Sequence, residues 1–300
     1  MFKPREIEEL VDYYIFRRMA AWLVPTLARL RLTPNQVSFL GLLTGLAAAW
    51  CFAHRCFFTG GLLLWLTVVI DCCDGQLARL TGQTSEEGRL IDGIFDHIWV
   101  AFIWTYIAFS GQLYQPIGPI SFTAMVWLEA LAGISIILHC GIHVTVKTRY
   151  LQLAFPEYGE KELNRSEAIA LLKKHWHAKR IHFVAIYALV TAHMFLFGSH
   201  KQQGALPPFS PQQRETLRKR LYLPMRLLSW TGEGTHHAIM IFFALLTPLY
   251  PAAMLITFWI VLVPMNLWWF WGLWLYTTRK QETMHRFANI SMSAGASAPN

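Results

Sequence analysis

The chain has 300 residues, of which 54% are hydrophobic, 14% aromatic and only 15% charged, with 26 Lys and Arg against 18 Asp and Glu for a formal net charge of +8. A soluble domain carries about 25% charged residues, so this composition excludes an ordinary soluble globule and indicates an all-α polytopic membrane protein with one membrane domain. In such a chain the positive balance belongs to cytoplasmic loops and anionic headgroups, and no nucleic-acid partner is expected.

The N-terminal MFKPREIEELVDYYIF lacks the layout of a cleavable signal, because acids come early and no apolar core precedes a small-residue site. Residues Arg5–Leu32 read as an amphipathic helix lying in the interface, with Tyr13, Tyr14 and Trp22 at the interface and Arg17 and Arg18 toward headgroups. Thr33–Asn35 then forms a turn, with Pro34 near the start of the first span, so residues 1–35 form an interfacial helix and turn.

Six apolar segments follow, at roughly Val37–Phe57, Gly61–Leu80, Gly88–Ser110, Ser121–Thr145, Thr235–Leu249 and Ala252–Thr277. They predict a six-span membrane domain over residues 36–278, with a helical cytoplasmic insertion over 146–230 between spans four and five. Within the insertion, Asn164–Arg180 reads as a basic surface helix. Ile181–Phe197 is apolar enough to cross, but is read as interfacial or partly inserted. Residues 279–300 are small, polar and basic, and are expected to be a disordered cytoplasmic tail. Lys and Arg number six before the first span, fourteen from Lys147 to Arg226 and three after the sixth span, whereas 111–120 and 247–251 carry none. That asymmetry predicts both termini in the cytoplasm. The five cysteines form no CxxC pair and read as buried small residues.

Four aspartates interrupt this apolar pattern, in DCCDGQLARLTGQTSEEGRLIDGIFDHI from Asp71 to Ile98. An Asp at membrane depth costs about 2.5–3.5 kcal/mol on insertion scales, so four together imply use. Asp71 and Asp74 lie i, i+3 at the end of the second span, with Gly75 and Ala78 on the same face. Gly88, Asp92 and Asp96 lie i, i+4, i+8 along one face of the third. The polar connector between them lets the two helices run antiparallel, so two acidic faces meet just inside the cytoplasmic boundary. Clustered carboxylates suit Mg²⁺ or Ca²⁺, and bridging carboxylates allow two ions. Arg79 supplies a fixed charge suited to phosphate, and the small residues keep the face open. Metal, Arg and small residues together describe a diphosphate pocket. An ion pathway through a divalent-ion transporter is the remote alternative; it does not need the Gly, Ala and Arg at these offsets.

The pattern DxxDGxxAR, eight residues, then GxxxDxxxD resembles the signature of the CDP-alcohol phosphotransferases, and Asp71, Asp74, Gly75, Ala78, Arg79, Gly88, Asp92 and Asp96 match every fixed position. TPNQVS, Thr33–Ser38, also resembles the segment before that family's first span, and the likeness covers Arg17–Ser110. It implies that Asp71, Asp74 and Asp92 hold one Mg²⁺ or Mn²⁺ and that Asp71, Asp92 and Asp96 hold a second. It further implies that Asp74, Gly75, Ala78, Arg79 and Gly88 surround the CDP moiety, and that Asp96 is also the general base. The implied reaction moves a phospho-alcohol group, in the commonest arrangement phosphatidyl, from a CDP-alcohol to an acceptor hydroxyl with release of CMP in phospholipid synthesis. The alternative exchanges the halves: a polar CDP-alcohol of the choline, ethanolamine or inositol type donates to a lipid or inositol-phosphate acceptor. A homodimer in a bacterial inner membrane, with its site facing the cytoplasm, is the expected setting.

Weaker constellations are weighed beside it. His139 and His143, i, i+4 with Glu129 upstream, read as packing or pocket-lining histidines rather than a metal site. His175, His177 and His182 read as surface residues among basic neighbours. The run TGEGTHH, Thr231–His237, opens the fifth span at the level of the aspartates. Glu233 and His236 are therefore candidates for the acceptor pocket, against an ordinary polar helix start. His97 points away from Asp96 and reads as packing.

Overall fold

A computed structural model describes residues 5–84, 95–96, 98–104, 122–156, 165–177, 179, 184, 187–188, 191 and 209–296 of the chain. Every regular element among them is helical. A short 3₁₀ turn (Arg5–Ile7) and a π-helical turn (Asp12–Phe16) precede α1 (Arg17–Arg29), α2 (Pro34–Ala53) and α3 (Phe57–Thr81). Then come α4 (Phe122–Ala154), α5 (Arg165–His177), α6 (Pro211–Leu228), α7 (Glu233–Leu246), α8 (Ala253–Ile260) and α9 (Asn266–Ala296). The segment expected as one amphipathic helix, Arg5–Leu32, is therefore a succession of 3₁₀, π and α turns.

Four helical stretches are long and apolar enough to cross a membrane: Pro34–Ala53, Phe57–Thr81, Val126–Ala154 and Ala253–Asn289. They overlap the expected first, second, fourth and sixth spans, with the fourth and sixth running on past their expected ends at Thr145 and Thr277. Most of the expected third span, and most of Ile181–Phe197, lies outside the described residues. The expected fifth span corresponds to α7, whose 14 residues reach only about 21 Å. Helix α9 continues to Ala296, so the tail expected to be disordered is helical through most of its length. No Gly or Pro breaks it between Leu273 and Ser293, and Phe287 packs on Phe209 with ring centroids 5.4 Å apart and planes tilted by 60°.

The chain divides into two compact units. One comprises residues Glu9–Leu138 and Glu233–Met265. Its starting point is α2, which opens with a capping box: Thr33 Oγ1 accepts the Gln36 N–H, Gln36 Oε1 accepts the Thr33 N–H, and Pro34 fills the first turn, where an N–H is not needed. Helix α3 ends at Gly82, whose φ of +68° supplies the left-handed residue that stops a helix. Small residues set the packing between them. Gly60 lies against Phe52, and Thr67 Oγ1 hydrogen-bonds Thr44 Oγ1 at 3.0 Å across the pair. Helix α1 joins α3 through Gln76 Nε2, which donates to the Arg17 carbonyl at 3.0 Å. The buried centre includes Phe52, Leu64, Val69, Leu77, Trp99 and Phe258.

The other unit comprises Met1–Glu8, His139–Gly232 and Asn266–Asn300. Helix α6 opens with a second capping box, Ser210 with Gln213, and buries Leu217, Leu221, Met225 and Leu228. It packs on α9, where Trp268 Nε1 donates to the Leu227 carbonyl at 2.9 Å and Arg279 Nη1 to the Arg220 carbonyl at 3.2 Å. Arg226 Nη1 donates to the carbonyls of Arg5 and Glu8 at 2.9 and 2.8 Å, and Tyr150 Oη donates to Glu6 at 3.0 Å. His139 is fully buried, bonds Asn266 Oδ1 at 3.2 Å and lies 5.4 Å from the Trp269 ring, the geometry of a packing histidine.

Candidate active site

Asp71 lies fourteen residues into α3, about 21 Å from its start, so the aspartates fall toward the far end of a helix that is about 37 Å long. The helix is apolar before them, so the carboxylates lie toward the polar end of an apolar helix. Asp96 sits on the helical turn at 95–96, followed by helix at 98–104.

Asp71 and Asp96 line one cavity of about 120 Å³. Glu233 lines the same cavity, so three carboxylates face one small space. The spacing argument therefore brings two of its aspartates together from separate helices. Asp74 is 95% buried beside this cavity rather than on its lining, and its Oδ2 accepts a 2.6 Å hydrogen bond from Ser38 Oγ of α2. Ser38 belongs to the TPNQVS segment, so that motif has a physical role: it fixes an aspartate on the next helix. Gly75 and Ala78 share that face of α3. The Arg79 guanidinium lies over Gly75, where a Cβ would meet Nη1 at 3.6 Å. Gly88 and Asp92 lie outside the described residues.

The remaining lining comes from places the motif does not reach: Glu9 and Asp12 ahead of α1, Glu233, Gly234 and His237 at the start of α7, and Trp99. Glu233 thus stands where the polar helix start predicts. It is His237, however, that faces the cavity; His236 is 95% buried and is not among the lining residues. Glu9 Oε2 accepts both the backbone N–H of Thr235 at 2.8 Å and its hydroxyl at 3.1 Å, capping α7 from the far end of the sequence. Asp12, on the π-helical turn, packs its carboxylate onto Gly234, where a Cβ would collide with it. Trp99 Nε1 donates to Asp96 Oδ1 at 3.1 Å. Sequence reading missed Glu9 and Asp12. The available signal was acids at 6, 8, 9 and 12 in a segment otherwise read as headgroup-facing and basic.

The donor set fits divalent metal. It is oxygen-rich, and carboxylates that share one small cavity cannot all stay ionised without a proton or a cation among them. Among the described residues no three of His, Cys, Asp and Glu converge on a single metal position. With Asp92 outside that set, the described part of the site offers a pair, Asp71 and Asp96, with Asp74 close behind.

Comparison with known proteins agrees with this geometry. The family described as CDP-alcohol phosphatidyltransferase matches residues 31–202, more than half of the chain. An archaetidylinositol phosphate synthase of Pyrococcus horikoshii is 37% identical over 86 residues, 29% of this chain and 46% of its own. Phosphatidylinositol phosphate synthases of Mycobacteroides abscessus and Cutibacterium acnes are 29% and 30% identical over 107 and 112 residues, covering 32% and 36% of this chain and 49% and 52% of theirs. The chain spans about half the length of the curated relatives it matches. With that match over more than half of its length, and with Asp71 and Asp96 of its eight-residue signature on one acidic cavity, the chain belongs to the CDP-alcohol phosphatidyltransferase family.

Proposed function

We propose that the protein is a membrane transferase that moves a phospho-alcohol group from a CDP-alcohol to an acceptor hydroxyl and releases CMP. The observation that carries the reading is the pairing of Asp71 and Asp96 on one cavity within a complete DxxDGxxAR…GxxxDxxxD pattern. Asp96 takes the proton of the acceptor hydroxyl, whose oxygen then attacks the β-phosphorus of the donor. The bond from that phosphorus to the oxygen bridging it to the α-phosphorus breaks, and CMP leaves with the bridging oxygen. Arg79 pairs with a phosphate of the CDP, and Gly75 and Ala78 leave room for it. Asp71, Asp74 and Asp92 would hold one Mg²⁺ or Mn²⁺ and Asp71, Asp92 and Asp96 a second, and Ser38 fixes Asp74 for that work. Such ions offset charge on the diphosphate and on the departing CMP.

Phosphatidyl transfer from CDP-diacylglycerol is the leading arrangement, and the relatives' names put inositol phosphate at the head of the acceptor panel. The second reading, a polar CDP-alcohol of the choline or ethanolamine type, draws on the acids beyond the motif. Asp12 and Glu233 favour a hydroxyl-rich or ammonium-bearing group over another phosphate. The setting is a bacterial inner membrane with the site toward the cytoplasm, and the protein works as a homodimer. The test is CMP release by purified protein with Mg²⁺ or Mn²⁺ across a matrix of CDP-alcohols and acceptors. Release that needs the metal and disappears in Asp96→Asn is expected. No CMP from any donor overturns the reading.

A further inference from the structure

Trp99 is one of the cavity's lining residues that carries no charge, yet its ring is only 3% exposed and is held from three directions. Its indole N–H donates to Asp96 Oδ1 at 3.1 Å. Its ring root presses on Gly45 of α2, where a Cβ would stand 2.5 Å from Cγ and 2.7 Å from Cβ of the indole. The imidazole of His237 on α7 packs on it, with ring centroids 5.0 Å apart and planes 43° from each other. Three helical segments thus fix the direction of a single N–H, and that N–H ends on the carboxylate assigned the proton transfer.

We infer that Trp99 is a positioning residue for Asp96. It holds Oδ1 and leaves Oδ2 for the acceptor hydroxyl. Two features of the contact support this over a packing role alone. A buried indole N–H needs an acceptor, but a backbone carbonyl would serve that need, and here the acceptor is a carboxylate that shares the cavity with Asp71. Gly45 also gives up a side chain at a site where the three nearest atoms to a Cβ all belong to Trp99, so α2 leaves room for that side chain. The inference rests on the reaction proposed above. A misdirected base lowers the rate of the bound complex by ~10- to 100-fold without loosening the donor.

The experiment is steady-state CMP release by detergent-purified Trp99→Phe, Trp99→His and Gly45→Ala beside the wild type, with thermal unfolding as the folding control. Trp99→Phe keeps the ring and removes the N–H; kcat is expected to fall ~10-fold or more while KM for the CDP-alcohol stays within ~2-fold. Trp99→His restores a nitrogen at the same ring position and is expected to recover part of the lost kcat. Gly45→Ala displaces the indole from a residue outside the cavity and is expected to lower kcat in the same direction. Should Trp99→Phe fail to fold, Gly45→Ala carries the test. Unchanged kcat in a folded Trp99→Phe or Gly45→Ala, or a raised donor KM with kcat intact, overturns the inference while the reaction stands. A wild type that releases no CMP overturns both.

Discussion

Glu9 and Thr235 are 226 residues apart in sequence and meet in two hydrogen bonds, at 2.8 and 3.1 Å to one carboxylate oxygen. A helix of 14 residues has four N-terminal N–H groups without intrahelical partners, and Glu9 answers one of them with a charge that also suits the positive end of the helix. Loss of such a cap costs about 0.5–2 kcal/mol. Glu9→Ala is therefore expected to lower the unfolding temperature of the detergent-purified protein and to reduce CMP release by displacing Glu233 and His237. Glu9→Gln keeps an acceptor and is expected to fall between the two. Equal unfolding temperatures for all three would remove the cap from the account. Here the limit of sequence reading has a physical reason. Asp71, Asp74 and Asp96 were legible because helical periodicity acts over a few residues and fixes which side chains share a face. Glu9 and Asp12 were not, because no local pattern states which distant helix start a carboxylate will cap. His237 was passed over for His236 because adjacent helical residues point about 100° apart, and only the packing of α7 on α3 decides which one faces the cavity.

At the scale of elements, α3 carries the site and must hold its rotation against α2 and α7. Gly61 faces Ala244 of α7, and a Cβ there would stand 2.8 Å from the Ala244 Cβ, a separation that real side chains do not adopt. Close helix approach through small residues is the usual device where apolar burial gives no driving force between helices. Gly61→Ala is expected to separate α3 from α7 and destabilise by about 1–3 kcal/mol. Ala244→Gly in the same chain is expected to return most of that loss, because it removes the atom that collides. Thermal unfolding of the two single variants and the double variant measures it, and additive effects in the cycle would refute the contact. The existence of α2, α3, α4 and α9 was legible from apolar length, and the start of α2 from the turn with Pro34, but α4 runs on to Ala154, past the apolar limit at Thr145. The helical tail was not, because 279–296 is polar and its helix is an extension of the apolar one before it, steadied by Phe287 on Phe209 rather than by its own pattern.

At the scale of the whole chain, the distribution of basic residues predicts that both termini and the long 147–226 connector lie on one side of the membrane. Two segments bear on that assignment: a crossing at 181–197 would carry Arg214–Arg226 to the other side, and α7, only 14 residues long, must cross if the C-terminus is to return to the side of α6. The contacts of Arg226 bear on this directly. Its guanidinium donates to the carbonyls of Arg5 and Glu8, so α6 and the N-terminal turn share a side, and the chain between Glu8 and Arg226 crosses an even number of times. The four expected spans before α6 satisfy that parity, and a fifth at 181–197 would break it. Arg279 and Glu282 contact Arg220 at 3.2 and 3.3 Å, so the end of α9 lies on the side of α6 as well, and the chain between α6 and Arg279 also crosses an even number of times. The expected outcome is then definite. A fluorescent protein fused after Asn300, which folds only in the cytoplasm, will be bright, and an alkaline phosphatase there will be inactive. The same phosphatase inserted within 111–120 will be active, because that connector follows three crossings. An active phosphatase at the C-terminus would require an odd number of crossings, and would contradict either the Arg226 contacts, if 181–197 crosses, or the Arg220 contacts with Arg279 and Glu282, if α7 does not.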